Sequence, residues 1–341
     1  MTYKQIIESN CAACSPHWWP KYAYHFSDAA NIVSILSSGL LFSRAQATQR
    51  GVMENDNASK QVIDMTDIRT TSFVRFYFRP LTPTQYYNEG FKHAKLRYDG
   101  DPNANVPVPV FLVFDLEALL RTPNVCFSPQ GQAGTRRYEF QGEEAFEKLP
   151  FDKIYSNGPC DDDTRRYRHA ELSCPDLYAI GSSLRMILCR NECEQATLLN
   201  LLYDENRAAC FQYRSLVRIA RRDVFQRNGL YVEHVNFNDN TLAFEFARTY
   251  EKKKYDESLK RRYALDRLEP VRASYRLQWT DRTGNVLYST ALDRPLDYEQ
   301  PQPVLLKLPP ITGASSLKAT LLLDGKTVCV TRHAMDSFEL L

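Results

Sequence analysis

Between residues 71 and 78 apolar and polar positions alternate. Val74, Phe76 and Phe78 fall on one side and Phe73, Arg75 and Tyr77 on the other, and Pro80 and Pro83 close the run. A period of two in β-branched and aromatic residues predicts a strand with one face in a core. Earlier in the chain, Tyr24-His25-Phe26 reads as a short strand, and Ile32, Ile35 and Leu36 recur on one helical face. Ser27 is placed to cap that helix, and Gly39 to end it in the left-handed conformation. His25 then falls at a strand end just ahead of a helix N-terminus, where N–H groups favour an anion. Taken alone, His25 also fits a packed, satisfied core histidine.

Residues 108–115 form a near-continuous apolar run, expected as a buried strand, with Asp115 capping a helix over 116–120. Tyr86, Tyr87 and Phe91 predict a helix over 84–95 whose rings pack. A strand is expected over 183–189, followed by a helix over 192–202 with Leu198, Leu199 and Leu202 inward. The intervening stretches are polar. Residues 1–20 read as a lead-in with Trp18 and Trp19 covering a core edge, and 43–67 as a loop over a site. Residues 126–138 are rich in turn formers and close on Arg136 and Arg137. Residues 161–169 set three aspartates beside Arg165, Arg166 and Arg168 with Tyr167 between them, the pattern of a loop carrying two solvated charge runs. Strands mixed with helices and no regular βαβ period predict an α+β first domain, residues 1–228.

After Gly229 the pattern changes to short β-rich alternations at 230–237, 241–247, 271–280, 285–290, 304–308, 317–323 and 327–331. Asp324-Gly325 between two of them is a specific hairpin signal. Seven such strands predict an all-β, immunoglobulin-like sandwich over residues 229–341, with Trp279 in its core. The charged run 251–262 is expected as an exposed loop or short helix. No catalytic constellation is visible in this half, which leaves two readings: a docking module, or a stabilising lid on the first domain.

With 43 basic and 41 acidic residues the net charge is +2, so a nucleic-acid interaction must rest on local clusters. Nine scattered cysteines speak for reduced thiols rather than a secreted disulfide framework. No apolar run is long enough for a membrane helix and no signal-peptide pattern opens the chain, so a cytoplasmic protein is expected. Cys11, Cys14 and His17 have half the spacing of a zinc site, but no second tight pair completes it, and the six histidines show no metallohydrolase spacing. No metal is expected.

The stretch from Tyr24 to Leu41 resembles the opening motif of the ADP-ribosyltransferase superfamily, in which a histidine followed by a short helix and Gly-Leu holds the nicotinamide half of NAD. Val74-Arg75-Phe76-Tyr77-Phe78-Arg79-Pro80-Leu81-Thr82-Pro83 and Arg168-His169-Ala170-Glu171-Leu172-Ser173-Cys174-Pro175-Asp176 are similar to the central and catalytic-glutamate motifs of the DarT family, toxins that ADP-ribosylate nucleic acid. The three motifs occur in order over the first two thirds of the chain.

This resemblance implies an ADP-ribosyltransferase-like first domain and Glu171 as the catalytic carboxylate. It further implies an arginine on the dinucleotide, Arg69 first and Arg50 second. His25, Ser27, Asn31, Tyr77 and Phe78 would then bind NAD, the substrate. Arg136, Arg165, Arg166, Tyr167, Arg168 and His169 would guide single-stranded DNA or RNA. It also implies a toxin with an antitoxin or chaperone partner, in a toxin–antitoxin or anti-phage system. Ser128-Pro129-Gln130-Gly131 stands where the family carries an Asp-Gly or Asp-Arg-His type turn, so base choice or substrate positioning is expected to differ.

The chemistry suits these residues. Breaking the nicotinamide–ribose bond develops positive charge on the ribose, which a carboxylate on the sugar's face stabilises, and the same carboxylate can take a proton from a nucleobase. From the strand pattern alone Glu171 is expected to face solvent; the motif reverses that. No dinucleotide or P-loop glycine fingerprint occurs, so NAD is expected outside a Rossmann arrangement. Two alternatives remain: a degenerate nucleic-acid-binding module, and transfer to protein.

Overall fold

The structure, a computed structural model, describes residues 1–55, 71–98, 101, 105–132 and 139–335. In chain order the first nine strands are β1 (Tyr22–Asp28), β2 (Leu40–Phe42), β3 (Phe73–Tyr77), β4 (Pro109–Asp115), β5 (Cys126–Ser128), β6 (Glu171–Pro175), β7 (Leu177–Ala179), β8 (Leu184–Cys189) and β9 (Val217–Ile219). Seven of them form one sheet in the order β5-β6-β3-β1-β4-β8-β9, and β2 pairs with β7 beside it. The β8–β9 pair is parallel and the other ladders are antiparallel, a mixed α+β architecture.

The helix Ala29–Ser38 follows β1 directly. Its cap is Asp28, not Ser27: Asp28 Oδ1 accepts the Ala30 N–H at 3.1 Å while Oδ2 accepts from Val108 at 3.1 Å. A carboxylate satisfies two N–H groups at once, and β1 extends one residue further than expected to deliver it. His25 therefore lies inside β1 rather than at its end. Gly39 ends the helix at φ 70°. Asp115 caps the helix Leu116–Leu120 as its spacing implies, accepting from Ala118 at 3.0 Å.

Four polar or aromatic stretches differ from expectation. Residues 1–20 contain the helix Tyr3–Ala13, opened by a capping box between Thr2 and Gln5, with Tyr3, Ile6 and Ile7 buried. Ser43 caps a helix Arg44–Arg50 inside the expected loop. The aromatic helix stops at Asn88 after starting at Pro83, because Gly90 takes a positive φ and packs against the backbone of Gly229. The acidic run of 161–169 opens a helix, Asp162–Tyr167, capped by Asp161, with arginines in its last turn where the dipole favours them.

The remaining strands are β10 (Val232–Asn238), β11 (Thr241–Phe246), β12 (Val271–Thr280), β13 (Val286–Leu296), β14 (Val304–Lys307), β15 (Ser316–Leu323) and β16 (Lys326–Ala334). They form two antiparallel sheets, β10-β11-β14 and β13-β12-β15-β16, over a shared core that includes Phe244, Tyr275, Leu306, Leu321 and the fully buried Trp279. The charged run is a thirteen-residue helix, Tyr250–Arg262, and it is not simply exposed. Lys252 and Asp256 form a buried ion pair at 2.6 Å, and Tyr255 and Leu259 join the core.

These sheets are tied to the first half of the chain. Phe91, Leu96 and Cys193 belong to the same apolar cluster. The helix Glu192–Glu205 lies along β16, where the Val330 N–H donates to Thr197 Oγ1 at 2.9 Å and Asn200 Nδ2 donates to the Val330 carbonyl at 3.0 Å. Buried Glu89 accepts the N–H groups of Gln226 and Arg227 at 2.7 Å and pairs with Arg190 at 3.3 Å.

Candidate active site

The cavity of about 550 Å³ opens where the large sheet splits. β1 pairs with β4 along seven residues but with β3 only at Tyr24 and Tyr77. Beyond that pair the two strands part, and the gap is lined by His25, Phe26 and Ser27 on one side and Phe73, Val74 and Arg75 on the other. The helix Ala29–Ser38 contributes Asn31 and Ser34, and the helix Pro83–Asn88 contributes Pro83, Thr84 and Tyr87.

Glu171 begins β6 directly opposite Tyr77. It is 2% exposed and lines the cavity. Its Oε1 accepts the Gln132 N–H at 2.5 Å. Burial raises its pKa, while the positive charge of Arg75 and the Gln132 N–H draw it back toward the ionised form. The Gln132 turn is held close: Ser128 Oγ donates to the Gln130 carbonyl at 2.6 Å, and a Cβ on Gly131 would meet His169 Cβ at 3.1 Å.

His25 Nδ1 lies 3.0 Å from the Arg75 carbonyl. A carbonyl only accepts, so Nδ1 carries the proton. Burial lowers the His25 pKa, so at neutral pH the ring is uncharged and Nε2 holds a lone pair that can accept from a hydroxyl. Asn31 grips the backbone of Asn55, donating to its carbonyl at 2.7 Å and accepting its N–H at 3.1 Å. The Asn55 side chain donates to Asp28 at 2.9 Å and accepts from Lys326 Nζ of β16 at 2.7 Å.

Of the residues singled out in the sequence, His25, Ser27, Asn31, Tyr77, Arg165, His169 and Glu171 line the cavity together. Phe78 does not: it is fully buried on the opposite face, 6.1 Å from Phe146. Arg50 stacks on Phe42 at 4.8 Å and does not line the cavity. Arg166 pairs with Asp163, Lys153 lies over the Tyr167 ring, and Arg168 donates to Ser156 and the Gly158 carbonyl, all outside the cavity. His169 is held neutral, its pKa lowered to about 4 by burial and by Arg165. Arg69 and Arg136 lie outside the described residues. Arg75, Gln132 and Arg44 line the cavity without having been singled out. The alternation of β3 had put Arg75 on the Tyr77 side; Gln132 acts through its backbone, which side-chain reading overlooks.

Among the described residues no group of three His, Cys, Asp or Glu could hold a metal ion, and no helix is long and apolar enough to cross a membrane. The family model for ssDNA thymidine ADP-ribosyltransferase, DarT, matches residues 24–202, just over half of the chain. The chain belongs to the DarT family. The match starts at Tyr24, beside His25, and takes in Glu171 and every other cavity residue. DarT of Thermus sp. 2.9 in complex with carba-NAD+ is 16% identical, with 60% of this chain and 98% of that one covered at a TM-score of 0.47. The same protein with ADP-ribosylated ssDNA gives 16%, 60%, 96% and 0.46. Thermosipho africanus DarTG with ADP-ribose is 12% identical, covering 64% of this chain and 54% of that one at 0.46. No curated protein matches.

Proposed function

We propose that this DarT-family chain transfers ADP-ribose from NAD to a base of single-stranded DNA. The observation that carries the proposal is the buried carboxylate of Glu171 in a split-sheet cavity, with the neutral His25 on the facing strand. The nicotinamide ribose enters the split, where His25 Nε2 accepts from one of its hydroxyls and Ser27 and Asn31 border the same wall. The Glu171 carboxylate stabilises positive charge on the ribose as the glycosidic bond to nicotinamide breaks. The base nitrogen then forms the new bond to the ribose carbon and gives its proton to Glu171. Arg165 and His169 flank the entrance on the acceptor side. Arg69 remains the arginine proposed for the dinucleotide.

The test incubates purified protein with labelled NAD and single-stranded DNA, RNA or protein acceptors separately. Label on DNA supports the proposal. Label on RNA alone changes the acceptor, and label on protein alone overturns it.

In keeping with the family, we further propose a toxin held in check by an antitoxin, in a toxin–antitoxin or anti-phage setting. We also propose a division near residues 228–229, where Gly90 and Gly229 meet, with an immunoglobulin-like sandwich beyond it. Supporting the latter is the strand order: first, second and fifth strands in one sheet, fourth, third, sixth and seventh in the other.

A further inference from the structure

A run of like charge lies away from the cavity. Residues 207–222 hold Arg207, Arg214, Arg218, Arg221 and Arg222 and no Asp or Glu, in a protein whose total is +2. All five arginines are exposed. None has a carboxylate partner among the described residues; Arg207 stacks on Tyr203 at 4.8 Å, and Arg214 on Phe211 at 5.0 Å. Phe211 itself is 58% exposed. Five like charges in sixteen residues repel one another, and no ion pair among the described residues offsets them.

The pairing register connects this corner to the active site. Glu171 lies opposite Tyr77, Tyr77 opposite Tyr24, Tyr24 opposite Val113, and Val113 opposite Met186. Leu188, two residues along β8 from Met186, lies opposite Arg218 on β9. Residues paired across a ladder, or two apart on a strand, share a face. Arg218 therefore stands on the same face of the sheet as Glu171, five strands away, about 24 Å at 4.8 Å per strand. The segment after β9 covers this face in between. Val224 and Phe225 pack with Tyr24 and Phe111, and the Val224 carbonyl accepts from Gln85 at 2.8 Å, on the helix whose Pro83, Thr84 and Tyr87 line the cavity. Arg221 and Arg222 open that segment, between Arg218 and the residues that reach the cavity helix.

We propose that Arg218, Arg221 and Arg222 bind the sugar–phosphate backbone of the single strand flanking the base that is modified. The inference rests on the transfer reading above. Guanidinium groups pair with phosphates, often bidentately. At one phosphate per 3.4 Å a path of about 24 Å holds about seven nucleotides, fewer if the strand is stretched. An acidic protein partner would also answer the charge, but the face that Arg218 shares with Glu171 favours nucleic acid.

The variant Arg218→Gln/Arg221→Gln/Arg222→Gln changes only exposed side chains. Fluorescence anisotropy with labelled dT24, without NAD, is expected to show affinity about tenfold or more weaker than wild type. Its dependence of log Kd on log salt is expected to be shallower by about 2, the contribution of three single-strand phosphate contacts. On dT2, too short to reach β9 even when stretched, KM and kcat for transfer are expected to be unchanged. Equal dT24 affinity for variant and wild type overturns the inference, as does competition by poly-glutamate as effective as by unlabelled dT24. Failure of the transfer reading shows separately, as absence of label on every oligonucleotide while dT24 still binds.

Discussion

Gln132 donates its backbone N–H to Glu171 Oε1 at 2.5 Å, tying one carboxylate oxygen to a turn 39 residues earlier in the chain. A backbone donor fixes the carboxylate without competing for protons, and it leaves Oε2 for a ribose hydroxyl. Glu171→Gln keeps the shape and can still accept from Gln132, but it lacks the charge needed as the ribose becomes cationic. Transfer is expected to fall by about 10²- to 10³-fold, the scale of about 3–4 kcal/mol for one such electrostatic group, while NAD binding measured by calorimetry changes little. Near-normal turnover would remove Glu171 from the catalytic role.

Arg75 acts on the same carboxylate from β3. Burial raises the Glu171 pKa and Arg75 partly offsets it, so removing the cation raises it further. In the proposed reaction the competent form of Glu171 is the ionised one, and it is lost as pH falls. In Arg75→Gln the acid limb of the kcat/KM profile for NAD is therefore expected to move to higher pH, with the plateau reached later than in wild type. An unchanged limb would mean that the two groups do not communicate.

Lys326, at the start of β16, reaches across to Asn55, which Asn31 and Asp28 already hold. Lys326→Met removes one hydrogen bond from this anchor and leaves the sandwich core untouched. The expected result is a rise of about 2- to 10-fold in KM for NAD with kcat preserved, the scale of a single hydrogen bond of about 0.5–1.5 kcal/mol. A loss of kcat at constant KM would contradict a purely anchoring role.

Truncation after Asn228 tests how far the two halves depend on each other. It would bare Phe91, Leu96 and Cys193 and remove the strand edge that satisfies Thr197 and Asn200. The shortened chain is expected to aggregate or to lose cooperative thermal unfolding by circular dichroism. A soluble, fully active fragment would instead support a detachable docking module.

Local periodicity settled most of the elements before any contact was known. β3 alternates because one face meets the core and the other the cavity, and β4 is apolar throughout because both faces are covered. Capping chemistry at Asp115 and Gly39 likewise needs only near neighbours. The motif residues His25 and Glu171 stand out only through their resemblance to the family's motifs; strand pattern alone sends Glu171 to solvent. What buries it is the Gln132 turn and the pairing of β6 between β3 and β5, contacts between segments distant in the chain. The same limit explains the helix Tyr250–Arg262, whose charged composition gives no sign that Lys252 and Asp256 pair inside a core. It also explains the arginine surface: the run of charge is visible in the sequence, but only the strand register puts Arg218 on the face of Glu171, because register is decided by which strands become neighbours.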